Sequence, residues 1–163
     1  MTDQIQSSIV IERSYAADRE ALWALWTTKE GFESWWGPEG FRADVREIEA
    51  QPDGALHYAM VADAPDMVAA MKQMGQPTST ECKGRFSEFR PYDRLVLTQI
   101  IDFLPGVQPY DSTIEVDFIP AAEGKARMIV TLHQMHDAKT TQMQRMGFTS
   151  QLTKLDKRFG WTG

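Results

Sequence analysis

The chain is 163 residues long, about one ordinary domain, with 17 basic against 23 acidic side chains and a formal net charge of −6. A hydrophobic fraction of 42% supports a packed core and excludes the disordered class, and no apolar run approaches the roughly 18–20 residues needed to cross a bilayer, so membrane insertion is not expected. The acidic balance, with no Lys/Arg-rich segment to offset it, also argues against nucleic acid as a partner.

In chain order, Ile9 to Tyr15 reads IVIERSY, a β-branched and aromatic run suited to a strand. Asp18 offers an N-cap to a helix, REALWALW, in which Leu22, Leu25 and Trp26 share one face. Thr27 and Glu30 form a T-x-x-E pattern that predicts a second short helix, with Phe32, Trp35 and Trp36 at helical spacing and Gly37-Pro38 as its stop. From Phe41 the period changes to two. Arg42 to Glu49 predicts a strand, Pro52-Asp53-Gly54 a turn, and Ala55 to Val61 a returning strand that sets Leu56, Tyr58 and Met60 on one face.

The next segment, ADAPDMVAAMKQMGQPTS, interrupts the strands as a helical insert at about 62–79. Asp63 or Asp66 can cap it, Gly75 can end it, and Met67, Met71 and Met74 fall at i, i+4 and i+7. Such a stripe covers either local core or a ligand cavity, as a lid. Strands resume at Thr80 to Arg90, Leu95 to Asp102, Ser112 to Ile119 and Ala126 to Met135, the pattern of an antiparallel meander wet on one face. Ala138 to Phe159 predicts one helix of about six turns. Phe148, Leu152, Leu155 and Phe159 can bury against the sheet, Met143 and Met146 extend that face, and Gly147 predicts close packing. The whole chain, 1–163, reads as one domain without repeats or a linker.

The segments WWGPEGF (35–41), QPDGALHY (51–58), GRFSEFRPYDRLVLT (84–98) and MGFTSQLTKLDKRF (146–159), in that order, resemble the SRPBCC or START-like superfamily. Within it the chain is most similar to the family related to the C-terminal domain of the activator of heat-shock protein 90 ATPase. The resemblance implies an α+β helix-grip fold, in which a curved antiparallel sheet wraps a long C-terminal helix and leaves a cavity between them. The family's W-W-G-P matches Trp35, Trp36, Gly37 and Pro38, and its strand motif matches Gly84, Phe86, Glu88 and Phe89. The usual Gly-Trp of the last helix is Gly147-Phe148 here, and the Met-rich insert lengthens a connection that is shorter in relatives.

If Phe86 faces inward, strand parity sends Gly84 and Glu88 inward too. A carboxylate there can serve as general base, as ligand anchor, or as a structural partner of an arginine, burial raising its pKa and pairing lowering it. His57, His133 and His136 show no metal-ligand spacing, and His57 and His133 have outward parity. Cys82, the only cysteine, excludes an internal disulfide and reads as a small hydrophobe. No nucleophile elbow, P-loop or dinucleotide fingerprint is present, so no cofactor and no metal are expected.

The candidate ligand-binding residues are Trp35, Trp36, Phe41, Tyr58, Met60, Met67, Met71, Met74, Phe86, Glu88, Met143 and Met146. They predict a pocket for a small apolar molecule, with Tyr58 and Glu88 as polar anchors. Two further readings are a polyketide cyclase or aromatase-like enzyme using Glu88, and a module contacting a chaperone ATPase in a stress response. Exposed edge strands leave a homodimer open. The opening MTDQIQSSIVIERSY lacks the features of a signal peptide, which makes the cytoplasm the expected location.

Overall fold

The computed structural model describes residues 9–37, 40–101, 106, 108–133 and 138–162. The chain runs β1 (Ile9–Tyr15), α1 (Arg19–Thr27), α2 (Lys29–Glu33), β2 (Phe41–Ile48), β3 (Ala55–Ala62), α3 (Pro65–Gln73), β4 (Ser79–Arg90), β5 (Arg94–Ile101), β6 (Tyr110–Pro120), β7 (Ala126–Leu132), α4 (Ala138–Phe159) and a two-residue β8 (Trp161–Thr162). All pair antiparallel in one sheet of order β2-β3-β4-β5-β6-β7-β1-β8. This is the expected α+β helix-grip architecture, a curved sheet with a long C-terminal helix. Two residues are too few to show alternation, so β8 carries no sequence signal.

The inner face of the sheet is apolar where it is closed. Phe86 pairs with Leu97, Leu97 with Ile114 and Ile114 with Leu132, and all four are buried. Leu95, Val116 and Val130 fill the same layer, and α1 lays Leu22, Leu25 and Trp26 upon it. α4 completes this end with Phe148, Leu152 and Leu155, and Phe148 sits among the rings of Trp26, Trp35 and Trp36 at centroid distances of 5.9–6.2 Å. Aromatic packing of this kind contributes beyond its buried area.

Local chemistry shifts several sequence expectations. Asp18 caps α1 through Oδ1, which accepts from the Ala21 amide at 2.8 Å. The cap of α2 is Thr28, whose hydroxyl accepts from the Gly31 amide at 3.0 Å. Thr27 instead ends α1, buried, donating its hydroxyl to the Trp23 carbonyl at 3.0 Å. Gly31 is essential there, because a Cβ would stand 2.1 Å from the Ala24 carbonyl oxygen. Neither Asp63 nor Asp66 caps α3; Ala64 holds the cap position without a side-chain bond, and Pro65 supplies the helical start. The helix closes as expected at Gly75, with φ +72°: the Gly75 amide reaches Lys72 O and the Gln76 amide reaches Met71 O.

Two expectations about α4 are overturned. A Cβ at Gly147 would meet nothing within 4 Å, so the helix does not pack closely there. Met143 and Met146, 61% and 63% exposed, do not extend the buried face. At about 100° per residue they lie about 140° and 160° around the helix from Phe148. Turning Phe148 to the core therefore turns them to solvent.

Candidate functional site

The inner face changes character towards the end of the sheet from which α4 departs. Strand register places Gly84 beside Gln99 and Gln99 beside Ser112, where the closed end has Phe86, Leu97 and Ile114. Tyr58 pairs with Cys82 and Met60 with Thr80. Together Tyr58, Met60, Thr80, Cys82, Gln99, Ile100 and Ile101 line a partly open recess of about 230 Å³. Its wall is mostly apolar, with a few fixed polar groups, and none of its lining side chains is charged.

Tyr58 anchors those polar groups. Its hydroxyl oxygen accepts from Trp36 Nε1 at 3.0 Å and from Gln99 Nε2 at 2.6 Å. Burial pushes the phenol well above its ordinary pKa, and the neighbouring Cys82 thiol adds to this, so Tyr58 stays neutral throughout the accessible pH range. Gln99 can lie flat across β4 only because residue 84 is glycine: a Cβ there would meet Thr98 O at 3.0 Å and Gln99 Cγ at 3.2 Å. Small shape changes at 84 thus reach Tyr58 through Gln99.

The facing helix continues the polar character. Thr141 and Gln144 lie on the α4 face that carries Phe148 into the core, and Gln151 is buried one turn beyond it. Gln151 Oε1 accepts from the Gly37 amide at 2.9 Å, and Lys154 Nζ donates to the Gly37 carbonyl at 2.9 Å. This clamp ties the segment after α2 to α4; partial burial lowers the Lys154 pKa. Beside it Gly40, Phe41, Asp63, Ser150, Thr153, Lys154 and Lys157 surround a second, more polar recess of about 340 Å³.

Of the sequence candidates, only Tyr58 and Met60 line the first recess. Trp36 reaches it through its bond to Tyr58, while Trp35 is wholly buried and donates Nε1 to Leu25 O at 2.8 Å. Phe41 lies at the second recess, and Phe86 is buried in the closed core. The α3 methionines line neither recess: Met67 covers Gly40, Met71 is half-buried and Met74 is 64% exposed. Met143 and Met146 point to solvent, as described above.

Glu88 is the largest departure. A β-bulge between Phe86 and Glu88 inserts one residue, so Phe86 and Phe89 both turn to the core and Glu88 turns outward. There it accepts from Arg94 Nε at 3.1 Å and pairs with Arg90. Arg94 also pairs with Asp117 at 3.1 Å and with Glu115, which in turn meets His133. The Arg94 hydrogen bond holds both Glu88 and Glu115 below the usual carboxylate range, with His133 adding to the effect on Glu115. His57 is also on the outer face, 3.5 Å from Glu47, and His136 lies outside the described residues. Among the described residues no group of three or more His, Cys, Asp or Glu could hold a metal ion, and no helix is long and apolar enough to cross a membrane.

Thr80, Cys82, Gln99, Ile100 and Ile101 are absent from the sequence candidates. Parity could have found most of them: Thr80 and Cys82 share the phase of Phe86, and Gln99 and Ile101 that of Leu97.

Residues 16–160 match the family model described as Activator of Hsp90 ATPase homolog 1-like protein. No curated protein gives a significant match. Among solved structures, a protein from Chromobacterium violaceum is similar with a TM-score of 0.73 at 19% identity, covering 94% of this chain and 98% of that one. An AHSA1 protein from Silicibacter pomeroyi gives 0.70 at 20% identity, over 93% and 96%. A Plasmodium falciparum protein described as an HSP90 activator gives 0.64 at 15% identity, over 96% and 99%.

Proposed function

From the premise that this chain belongs to the Activator of Hsp90 ATPase homolog 1-like family, we propose that it binds a small, largely apolar molecule between the sheet and α4. The observation that carries this reading is the recess lined by Tyr58, Met60, Cys82, Gln99 and Ile101 on the inner face of the sheet. An apolar wall with a few oriented polar groups suits a ligand that is mostly desolvated on binding. Tyr58 serves as the polar anchor. The α3 helix is not its lid, since no α3 side chain lines it.

Cys82 offers a direct test, being the only cysteine and part of the wall. A ligand in the recess should slow reaction of the Cys82 thiol with a small alkylating reagent and raise Tm in the same titration. A screen of small apolar compounds in which none protects Cys82 and none shifts Tm would overturn the reading.

A second reading is supported by the family itself and by the fold shared with the Plasmodium falciparum activator: contact with a chaperone ATPase. Adding the purified protein to such an ATPase and measuring turnover tests it, and an unchanged rate rejects it. The cyclase-like alternative has lost its support, because Glu88, its candidate acid or base, is on the outer face with Arg90 and Arg94. A homodimer through a sheet edge would use β2, the edge strand opposite β8.

A further inference from the structure

The recess bounded by the start of β2, the segment after β3 and the C-terminal half of α4 shares no lining residue with the one at Tyr58. It holds about 340 Å³, and three of its side chains are ionisable. Lys154 and Lys157 stand one turn apart on α4. Asp63 belongs to the facing rim, where its amide donates to the Gly40 carbonyl at 2.9 Å.

The two lysines are not equivalent. Lys157 is exposed, whereas Lys154 is half-buried and donates from Nζ to the Gly37 carbonyl at 2.9 Å. That carbonyl is itself fixed, because Gln151 Oε1 accepts from the amide of the same glycine at 2.9 Å. Desolvation lowers the Lys154 pKa and outweighs the opposing attraction of Asp63. A lysine amine becomes a nucleophile once it sheds its proton, and a neutral amine that gives one N–H to a carbonyl still has its lone pair available. The fold thus holds a half-buried primary amine at the wall of a recess large enough for a few heavy atoms.

We propose that Lys154 is a covalent capture site for small hydroxyaldehydes, which it holds as an imine. The Nζ lone pair attacks the carbonyl carbon and the C=O π pair moves to oxygen. That oxygen takes up two protons and leaves as water, while the nitrogen gives up two and forms the C=N bond. Nothing is oxidised or reduced, and returning water releases the aldehyde. Lys157, with its Cβ about 5–6 Å from that of Lys154 on the helix surface, is placed to protonate the departing oxygen. A hydroxyl group beside the carbonyl suits a wall that carries one further charge of each sign, since it can donate to the Asp63 carboxylate or accept from the Lys157 ammonium. A plain alkyl aldehyde makes neither bond.

The test treats the full chain at pH 7 with glycolaldehyde and sodium cyanoborohydride, whose hydride adds to the imine carbon and fixes the adduct. Peptide mass spectrometry then locates the labelled lysines. Lys154 should carry at least about threefold more label than any other lysine, Lys157 included, as a positioned and desolvated amine would. In concentrated urea that preference should vanish, and the labelling rate of Lys154 should level off at a lower pH in the folded chain than in urea. Propanal should show a smaller preference for Lys154 than glycolaldehyde does. Even labelling across the lysines, a preference for Lys157, or a Lys154 preference that survives urea overturns the proposal. Equal selectivity with propanal overturns the hydroxyaldehyde assignment. None of these readouts involves Cys82, so failure here is distinguishable from failure of the apolar recess.

Discussion

The two halves of α4 face the same sheet and do opposite things with it. The C-terminal half buries Phe148, Leu152 and Leu155 against a layer of Phe86, Leu97, Ile114 and their neighbours. The N-terminal half has Thr141 and Gln144 on the face that carries Phe148, and Gln99 and Ser112 follow Leu97 and Ile114 on the inner face of the sheet. One half holds the domain together by apolar contact; in the other, Gln144 Oε1 is buried without a hydrogen-bond partner. A protein that needed only a stable core would have continued the leucines. The contrast places the apolar packing that stabilises the domain in the C-terminal half of the helix.

The sharpest way to break that contrast is to truncate the closed half. Phe148→Ala removes a ring in contact with three tryptophans, and the cavity left should cost about 3–5 kcal/mol. Chemical denaturation should show the loss as a lower midpoint. Truncations at Thr141 or Gln144 should cost no more than about 1 kcal/mol. Comparable losses in both halves would show the division to be wrong.

A smaller effect should follow from Gly84→Ala. The new methyl group would press on Thr98 O and Gln99 Cγ, forcing Gln99 from its 2.6 Å bond to Tyr58 at a cost of about 1 kcal/mol. Its signature is local: Cys82 alkylation should change in rate while the tryptophan emission of the closed core stays constant. A global loss of structure would instead place Gly84 among the core residues.

The outer ion cluster lies behind the closed half, and pH separates it from the recess. Glu88 and Glu115 have depressed pKa values in the folded state, so the stability they supply is present above their unfolded values, near 4.3, and is lost as pH falls through the folded ones. Tm should therefore fall in acid below about pH 4.5. Arg94→Met should flatten that acid limb, lowering Tm at pH 7 more than at pH 3. Tyr58, neutral over this range, should keep ligand affinity unchanged between pH 5 and 8. An acid limb unaltered in the Arg94 variant would remove the cluster from the account.

How far the sequence could be read follows the same division. Alternation in β6 and β7 and the 148-152-155-159 spacing of α4 expose the closed half directly, because burial there is periodic. Glu88 departs from strand parity because the bulge inserts a residue without any glycine or proline to announce it. The methionines misled for another reason. Met143 and Met146 look like an extension of the apolar face, yet helical geometry sends them away from Phe148. At the other end, polar residues such as Thr80 and Gln99 break the apolar signal at positions that line the recess.

Gly147→Ala produces the smallest shift and puts the division to its finest test. Close helix-sheet packing would make an added methyl group collide and destabilise the fold. Open space reverses the sign: with nothing within 4 Å of the new Cβ, alanine should stabilise α4 by about 0.5–1 kcal/mol through its helix propensity. Gly31 supplies the internal control, since its Cβ would meet Ala24 O at 2.1 Å and Gly31→Ala must destabilise. Two glycines in helices, substituted identically, should thus move Tm in opposite directions. If Gly147→Ala lowers Tm as Gly31→Ala does, the helix packs closely at residue 147 and the room around that glycine is not there.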